Sequence, residues 1–167
     1  MKRKSLEDLT TKELKVKTWD MFSKYIRRRD CLITTGNPFW GLCITCGKRF
    51  NFRDLDAGHF TPGRGNAILF DERGVHAQCH ECNRFNHGEE KKYREKVISM
   101  YGIEIIEEIE KKKNETLKFT REELINMFEY YKDRFSKLLK IKPSLKKDSY
   151  EFEIMKNLNN INIWDYK

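Results

Sequence analysis

Apolar positions recur along this chain with two different periods. From Thr10 to about residue 30, Leu14, Trp19, Phe22 and Ile26 fall at near-helical spacing and form one stripe. Thr10-Thr11-Lys12-Glu13 opens that stretch as a capping box, with Thr10 capping and Glu13 reaching back. Residues 31–42 contain Gly36, Asn37, Pro38 and Gly41 and read as a loop. Phe50 and Phe52 follow, then Leu55, Ala57 and His59 on alternate positions, as on a strand. Thr61 to Asn66 is a loop, Ala67-Ile68-Leu69-Phe70 reads as a short second strand, and Asp71 to Gly74 as a turn. A helix is expected to start near Cys82 or Asn83, and another to run over about 89–101 until Gly102 breaks it. Ile105, Ile106 and Ile109 suggest a further short helix. Thr120-Arg121-Glu122-Glu123 is a second capping box, ahead of a helix with Leu124, Phe128, Tyr131, Phe135 and Leu138 on one face. Pro143 closes that region, and a Lys- and Asn-rich tail follows over 144–167.

Length and composition narrow the class. A chain of 167 residues suits one domain, or one domain with helical additions. Charged residues make up 36% and the apolar set 38%, yet 21 residues are aromatic, enough large rings to build a modest core. So polar a chain calls for an additional staple. No apolar run approaches a membrane span. Met1 to Asp8 has a basic start with no apolar segment behind it, so a secretory leader is not expected. The formal charge of +8 has a bland reading, solubility, and a sharper one, attraction to nucleic-acid phosphates. Residues 1–30 hold ten Lys and Arg against five acids, with Arg27-Arg28-Arg29 together, a cluster that reads first as a solvated face.

Four of the five cysteines pair by spacing. Cys43-Ile44-Thr45-Cys46 and Cys79-His80-Glu81-Cys82 are two C-x2-C knuckles, and Cys31 stands apart. A two-residue gap lets two thiolates reach one ion from a single tight turn, so Cys43, Cys46, Cys79 and Cys82 are expected to hold a structural Zn²⁺. Gly47 supplies the residue tolerant of positive φ that such a knuckle needs. The 32 residues between the pairs exceed a short zinc ribbon, so a folded segment must lie between them.

That segment carries the remaining chemistry. Asp56-Ala57-Gly58-His59-Phe60 ends the first strand, Phe70-Asp71-Glu72-Arg73 and Val75-His76-Ala77-Gln78-Cys79 follow, and Cys82-Asn83-Arg84-Phe85 leads to Asn86 and His87. Together with the upstream Trp19-Asp20-Met21-Phe22-Ser23-Lys24-Tyr25-Ile26-Arg27, these phrases resemble the NinG/Rap recombination proteins of lambda-like bacteriophages, in the HNH or ββα-metal nuclease pattern with four zinc cysteines. The resemblance covers about residues 15–90. It implies an α+β fold: a small zinc-stapled ββα-metal core with N- and C-terminal helical additions. The expected organisation is a basic helical segment over 1–40, the HNH-like core over 41–102, helices over 103–142 and a polar tail over 143–167. It further implies a phage-encoded endonuclease of the host cytoplasm acting on DNA, with branched molecules such as Holliday junctions and D-loops as substrate, no membrane partner, and a homodimer left open.

Phosphodiester hydrolysis needs a base for the water, a cation for developing charge and a fixed in-line geometry. His59, at a strand end beside Gly58, is placed as the general base. A hard Mg²⁺ or Mn²⁺ wants oxygen ligands, and Asn83 can offer its carbonyl, with His87 four residues on along the same helix face. Asp56 is the acid nearest the base, though on an ideal strand it points opposite His59 and so orients structure. Arg64, Arg73, Arg84 and Arg27 are the candidate DNA phosphate contacts, and His76 and His80 read as surface or supporting residues. The pattern departs from the family at Gly74, where the middle Asn of HNH motifs usually braces the loop holding the catalytic His. Either Asn66 or a backbone group substitutes, or activity is weakened. The competing class is a non-catalytic zinc-ribbon DNA-binding module, which needs neither the strand-end Gly-His nor an Asn aligned to it. A third, a zinc-stabilised protein-interaction domain, would use the helix from 121.

Overall fold

The computed structural model describes residues 5–63 and 65–141. The tail beyond 141 and Arg64 lie outside the described residues. The first helix, α1, spans Thr11–Thr35 and opens as its sequence dictates: the Thr10 hydroxyl accepts from the Glu13 amide at 3.2 Å while the Glu13 carboxylate accepts from the Thr10 amide at 2.8 Å. Its buried face runs through Leu14, Thr18, Phe22, Tyr25, Arg29 and Leu32 at three- and four-residue steps. The helix continues five residues past the expected end. Cys31 and Leu32 are buried, so burial carries it on until Gly36 stops it in the left-handed conformation, φ 66°, with its amide on the Leu32 carbonyl at 2.8 Å.

Two small two-stranded antiparallel sheets follow, the first of them a hairpin. β1, Trp40–Leu42, pairs with β2, Arg49–Asn51, in a register that sets Trp40 opposite Asn51 and Leu42 opposite Arg49. The segment 31–42 is therefore helix and strand at its ends, with a loop only between. Gly41 lets the hairpin close on α1, since a Cβ there would meet Cys31 Sγ at 2.8 Å. A 3-10 turn, Phe52–Asp54, leads to β3, Leu55–His59, which pairs with β4, Val75–Cys79, from Leu55↔Cys79 to His59↔Val75.

The second strand expected over Ala67–Phe70 is instead a short helix, α2, Asn66–Leu69. A four-residue apolar run does not distinguish strand from helix by pattern. Here the run is buried on two sides: Leu69 joins Leu14, Phe22, Tyr25 and Tyr131, whereas Ile68 joins Phe60, Tyr93, Val97, Ile106 and Ile109. The strand partner of β3 is the wholly buried Val75–Cys79.

After β4 come a π-helical turn, Glu81–Phe85, and a 3-10 turn, His87–Glu89. Then follow α3, Glu90–Tyr101, ended at Gly102 as expected, α4, Ile103–Lys113, and α5, Arg121–Leu139. The Thr120–Glu123 capping box forms in full at the start of α5. α5 lies against α1 through edge-on aromatic packing, with the Phe22 and Tyr131 ring centroids 4.8 Å apart at 73°.

The arginine cluster is not a solvated face. Arg29 is 1% exposed and bonds Asp30 at 2.7 Å, the Glu72 carbonyl at 3.0 Å and the Val75 carbonyl at 2.9 Å. Arg28 is buried as well, its guanidinium 4.2 Å from the Phe52 ring centroid and bonded to the Pro38 carbonyl. Helical spacing puts Arg29 on the same face as Leu32 and Tyr25, which is the core face.

Candidate functional site

The four knuckle cysteines converge, their sulfur atoms all within 4.8 Å of one another. In a tetrahedral Zn–thiolate site with bonds near 2.3 Å, sulfurs stand about 3.8 Å apart, and Cys46 and Cys79 Sγ are 4.0 Å apart. The first knuckle turns through Gly47 at φ 69°, whose amide reaches the Cys43 carbonyl at 2.9 Å. The Cys79 amide lies 3.3 Å from Cys43 Sγ and the Thr45 hydroxyl 3.2 Å from it. Burial raises the Cys43 thiol, but the Cys46 amide and the Thr45 and Cys79 groups outweigh it and bring it down to about 7. Four thiolate donors with amide support suit a metal such as zinc. Cys31 stays apart, buried with its thiol pushed up to about 12 by burial and by Asp30.

A second centre lies at the far end of β3. His59, Thr61, Asn83, His87 and Glu90 line a cleft of about 160 Å³. His59 is held on two sides: its ring stacks on Trp19 of α1, centroids 5.0 Å apart at 17°, and its Nε2 lies 3.2 Å from the Leu69 carbonyl. A carbonyl only accepts, so Nε2 carries the proton and Nδ1 is the basic nitrogen. Asn83 is likewise fixed. Its Nδ2 donates to Asp56 at 2.9 Å, and its Oδ1 lies against Gly58, where a Cβ would stand 3.2 Å away.

Asp56 points away from His59, as the strand alternation requires, into a neighbouring cleft of about 470 Å³ lined by Trp19, Ser23, Ala57, Asn83 and Arg84. Burial raises its carboxyl, but hydrogen bonds from Arg84 and Asn83 and the nearby His80 hold it below its ordinary value. Asn83 thus separates the two clefts, with Asp56 as its anchor on one side.

His87 reaches the cleft by a route other than the expected one. The helix from Cys82 does not continue through it. Three successive residues, His87, Gly88 and Glu89, take φ of 50°, 83° and 52°, a run that costs on the order of 1–3 kcal/mol for each non-glycine. Gln78 holds this turn, its Nε2 donating to the Gly88 carbonyl at 2.7 Å. The turn brings in Glu90, a carboxylate on the cleft that no sequence motif marked, and the buried Thr61 hydroxyl lines the cleft from just beyond β3. Trp19 was legible as a core stripe residue, but its place on His59 was not.

The arginines differ in availability. Arg84 is exposed and clamps Asp56 with two bonds, 2.7 and 2.6 Å. Arg73 is engaged by Asp71 and Glu108 on both edges, which carries its pKa up and Glu108 down to about 2. Arg27 is partly buried and bonds the carbonyls of Ser23, Phe52 and Leu55. His76 is a core residue, 3.2 Å from Asp30 and 5.9 Å from the Tyr101 ring centroid, not a surface one. His80 is half-exposed, 3.4 Å from Asp56. At Gly74 the loop is braced by backbone: the Phe60 amide donates to the Gly74 carbonyl at 2.8 Å, while Asn66 is tied to the Leu117 carbonyl and Lys15.

Comparison with known proteins places these residues among relatives. A family model described as "NinG: Bacteriophage Lambda NinG protein" matches residues 2–141. Protein ninG of Escherichia phage lambda is 38% identical over 73 residues, 43% of this chain and 35% of that protein. Protein ninG of Escherichia phage 933W is 38% identical over 73 residues, covering 43% and 36% of the two chains. Protein ninG of Salmonella phage P22 is 39% identical over 69 residues, covering 41% and 34%. The matched stretch is thus about a third of each relative's length. No solved structure matches.

Proposed function

The chain belongs to the NinG family of bacteriophage lambda, and from that premise we propose that it is a zinc-stapled, divalent-metal-dependent DNA endonuclease of the ββα-metal type, acting in phage recombination on branched DNA. The observation that carries the reading is the shared cleft: a histidine with its tautomer set, facing an asparagine whose amide orientation is set by Asp56.

His59 Nδ1 takes the proton of the attacking water, and the Leu69 carbonyl and Trp19 ring keep the imidazole aimed while it does so. Asn83 Oδ1, His87 and the Glu90 carboxylate are the donors that would hold a Mg²⁺ or Mn²⁺, two of them oxygen, as a hard cation prefers. When bound, such an ion stabilises charge on the scissile phosphate and its leaving oxygen. Cys43, Cys46, Cys79 and Cys82 would hold a structural Zn²⁺ that fixes the end of β4 on which Asn83 depends. Arg84, exposed and next to Asn83 in the chain, shares Asp56 with it and meets phosphate by exchanging Asp56 for it.

Cleavage of labelled linear, forked and four-way DNA, with and without Mg²⁺ or Mn²⁺, tests the reading. Metal-dependent nicking of branched DNA, absent from His59→Ala, is expected. Zinc-loaded wild type with no nicking above the His59→Ala background would replace it with the non-catalytic DNA-binding module, the reading that Gly74 in place of the brace Asn favours.

A further inference from the structure

The outer face of the first hairpin belongs to neither centre. Its register sets Trp40, Leu42, Arg49 and Asn51 on one side, with Gly41 and Phe50 turned toward Cys31 and Leu55 on the other. Trp40 is 40% exposed and the adjoining Phe39 55% exposed. Each ring has a guanidinium near it: Arg49 lies 5.2 Å from the Trp40 centroid and Arg28 5.1 Å from that of Phe39. Lys48, Arg49 and Arg53 are exposed on the segment whose backbone pairs with that of Phe39 and Trp40, where β2 faces β1 and the Phe52 amide donates to the Phe39 carbonyl at 2.8 Å. Among the described residues, no ion pair gives any of these three a carboxylate, unlike Arg73, Arg84 and Arg94.

We infer that this face, Phe39 and Trp40 with Lys48, Arg49 and Arg53, is a stacking platform for unpaired DNA bases, remote from the cleavage cleft. Large exposed rings backed by guanidinium planes offer π-surface, and unneutralised cations beside them offer phosphate contacts. A duplex buries its base faces, so the aromatic component favours single strands, while the cations serve both. The first hairpin packs at the Leu55 end of β3 and His59 stands at the other end of that strand, which spans about 13 Å at ~3.3 Å per residue. Branched DNA with an unpaired segment offers a ligand to each, bases for the platform and a phosphodiester for the cleft. The inference rests on the DNA reading above but not on cleavage.

Binding of the full-length, zinc-loaded protein to oligothymidylate and to a blunt duplex, followed by fluorescence anisotropy without added Mg²⁺ or Mn²⁺, tests it. Trp40→Ala should weaken oligothymidylate binding roughly ten-fold, as expected for losing one base–aromatic stack, and leave duplex binding within about two-fold. Trp40→Phe should keep most of the affinity. Arg49→Ala should weaken both and lower the salt slope by about one. Trp40 takes part in the fold through its backbone, where its carbonyl accepts from the Thr35 hydroxyl at 2.6 Å, so Trp40→Ala should retain its zinc and helicity. Equal losses on both DNAs, or none on oligothymidylate, would overturn the platform. So would a changed sedimenting mass in Trp40→Ala with DNA binding intact, which would assign the face to a second copy of the chain. A protein that stacks but never cuts leaves the platform standing and removes the nuclease. One that cuts, with Trp40→Ala binding single strands like wild type, does the reverse.

Discussion

Gly58 is the tightest position near the cleft. A Cβ there would collide with Gln78 Oε1 and come within 3.2 Å of Asn83 Oδ1. Gln78 cannot easily yield, because it is fully buried and its amide holds the Gly88 carbonyl. Gly58→Ala should therefore cost about 1–3 kcal/mol, the range for overpacking, and should also displace Asn83. A lowered urea midpoint together with lost metal-dependent nicking is expected, and an unchanged midpoint would show that the backbone relaxes freely. His59→Ala should lose about 10²–10⁴ in nicking rate while DNA affinity holds, since a neutral imidazole adds little to phosphate attraction. Asp56→Asn separates anchoring from catalysis. It keeps the side chain's shape but weakens its hold on Asn83 and Arg84, so a smaller rate loss than in His59→Ala marks Asp56 as a positioning residue.

At the level of elements, α1 is tied to β4 by charge as well as by packing. Arg29 and Asp30 are both buried and bonded to each other, and Asp30 also accepts from the Ala77 amide at 2.6 Å. Burial raises the Asp30 carboxyl, but the Arg29 and His76 charges and hydrogen bonds take it well below its ordinary value. A carboxyl depressed on folding adds stability above its unfolded pKa, about 4, and that stability is lost as pH falls through and below this value. Arg29→Met would leave the Asp30 carboxylate buried with His76 and the Ala77 amide but no guanidinium, at an expected cost of about 3–5 kcal/mol. Denaturant melts at pH 7 and pH 3 should show a smaller acid loss in Arg29→Met than in wild type; parallel losses would contradict the linkage. The long helices were legible from caps and stripes because their signals are local. The C-terminal end of α1 and the state of Ala67–Leu69 were not, because burial against distant residues such as Leu55 and Ile106 decided them.

Across the whole molecule, the cysteine cluster joins segments 32 residues apart, and the Ile44 amide adds one backbone bond to the Ala77 carbonyl at 2.9 Å. Metal analysis should return about one Zn per chain, and chelation should lower thermal stability, since ligand binding to the folded state alone is folding free energy. Metal-free protein with unchanged melting would remove the staple. Net charge of +8 should make DNA affinity fall about ten-fold or more between 50 and 200 mM salt. Salt-independent binding would mean that the charge serves solubility. Arg73→Ala should contribute little to that slope, because its guanidinium is held by Asp71 and Glu108.

The amino-acid sequence by itself determined the pairing of the four cysteines, the starts of the two capped helices and the place of His59 at a strand end. C-x2-C spacing, capping boxes and a strand-end Gly-His are written in neighbouring residues, where geometry follows from a few bonds. Only the tertiary structure decided which charges are available and how the site is aimed. Arg27, Arg28, Arg29 and Arg73 look alike in sequence to Arg84 and Arg49, yet the first four are partly or wholly buried among carbonyls, rings or carboxylates, whereas Arg84 on Asp56 and Arg49 beside Trp40 are exposed. His59 is aimed by Leu69 and Trp19, ten and forty residues away, and Glu90 joins it through a left-handed turn that Gln78 holds. Such contacts cross between elements, and no local pattern records which side chain a folded neighbour will meet.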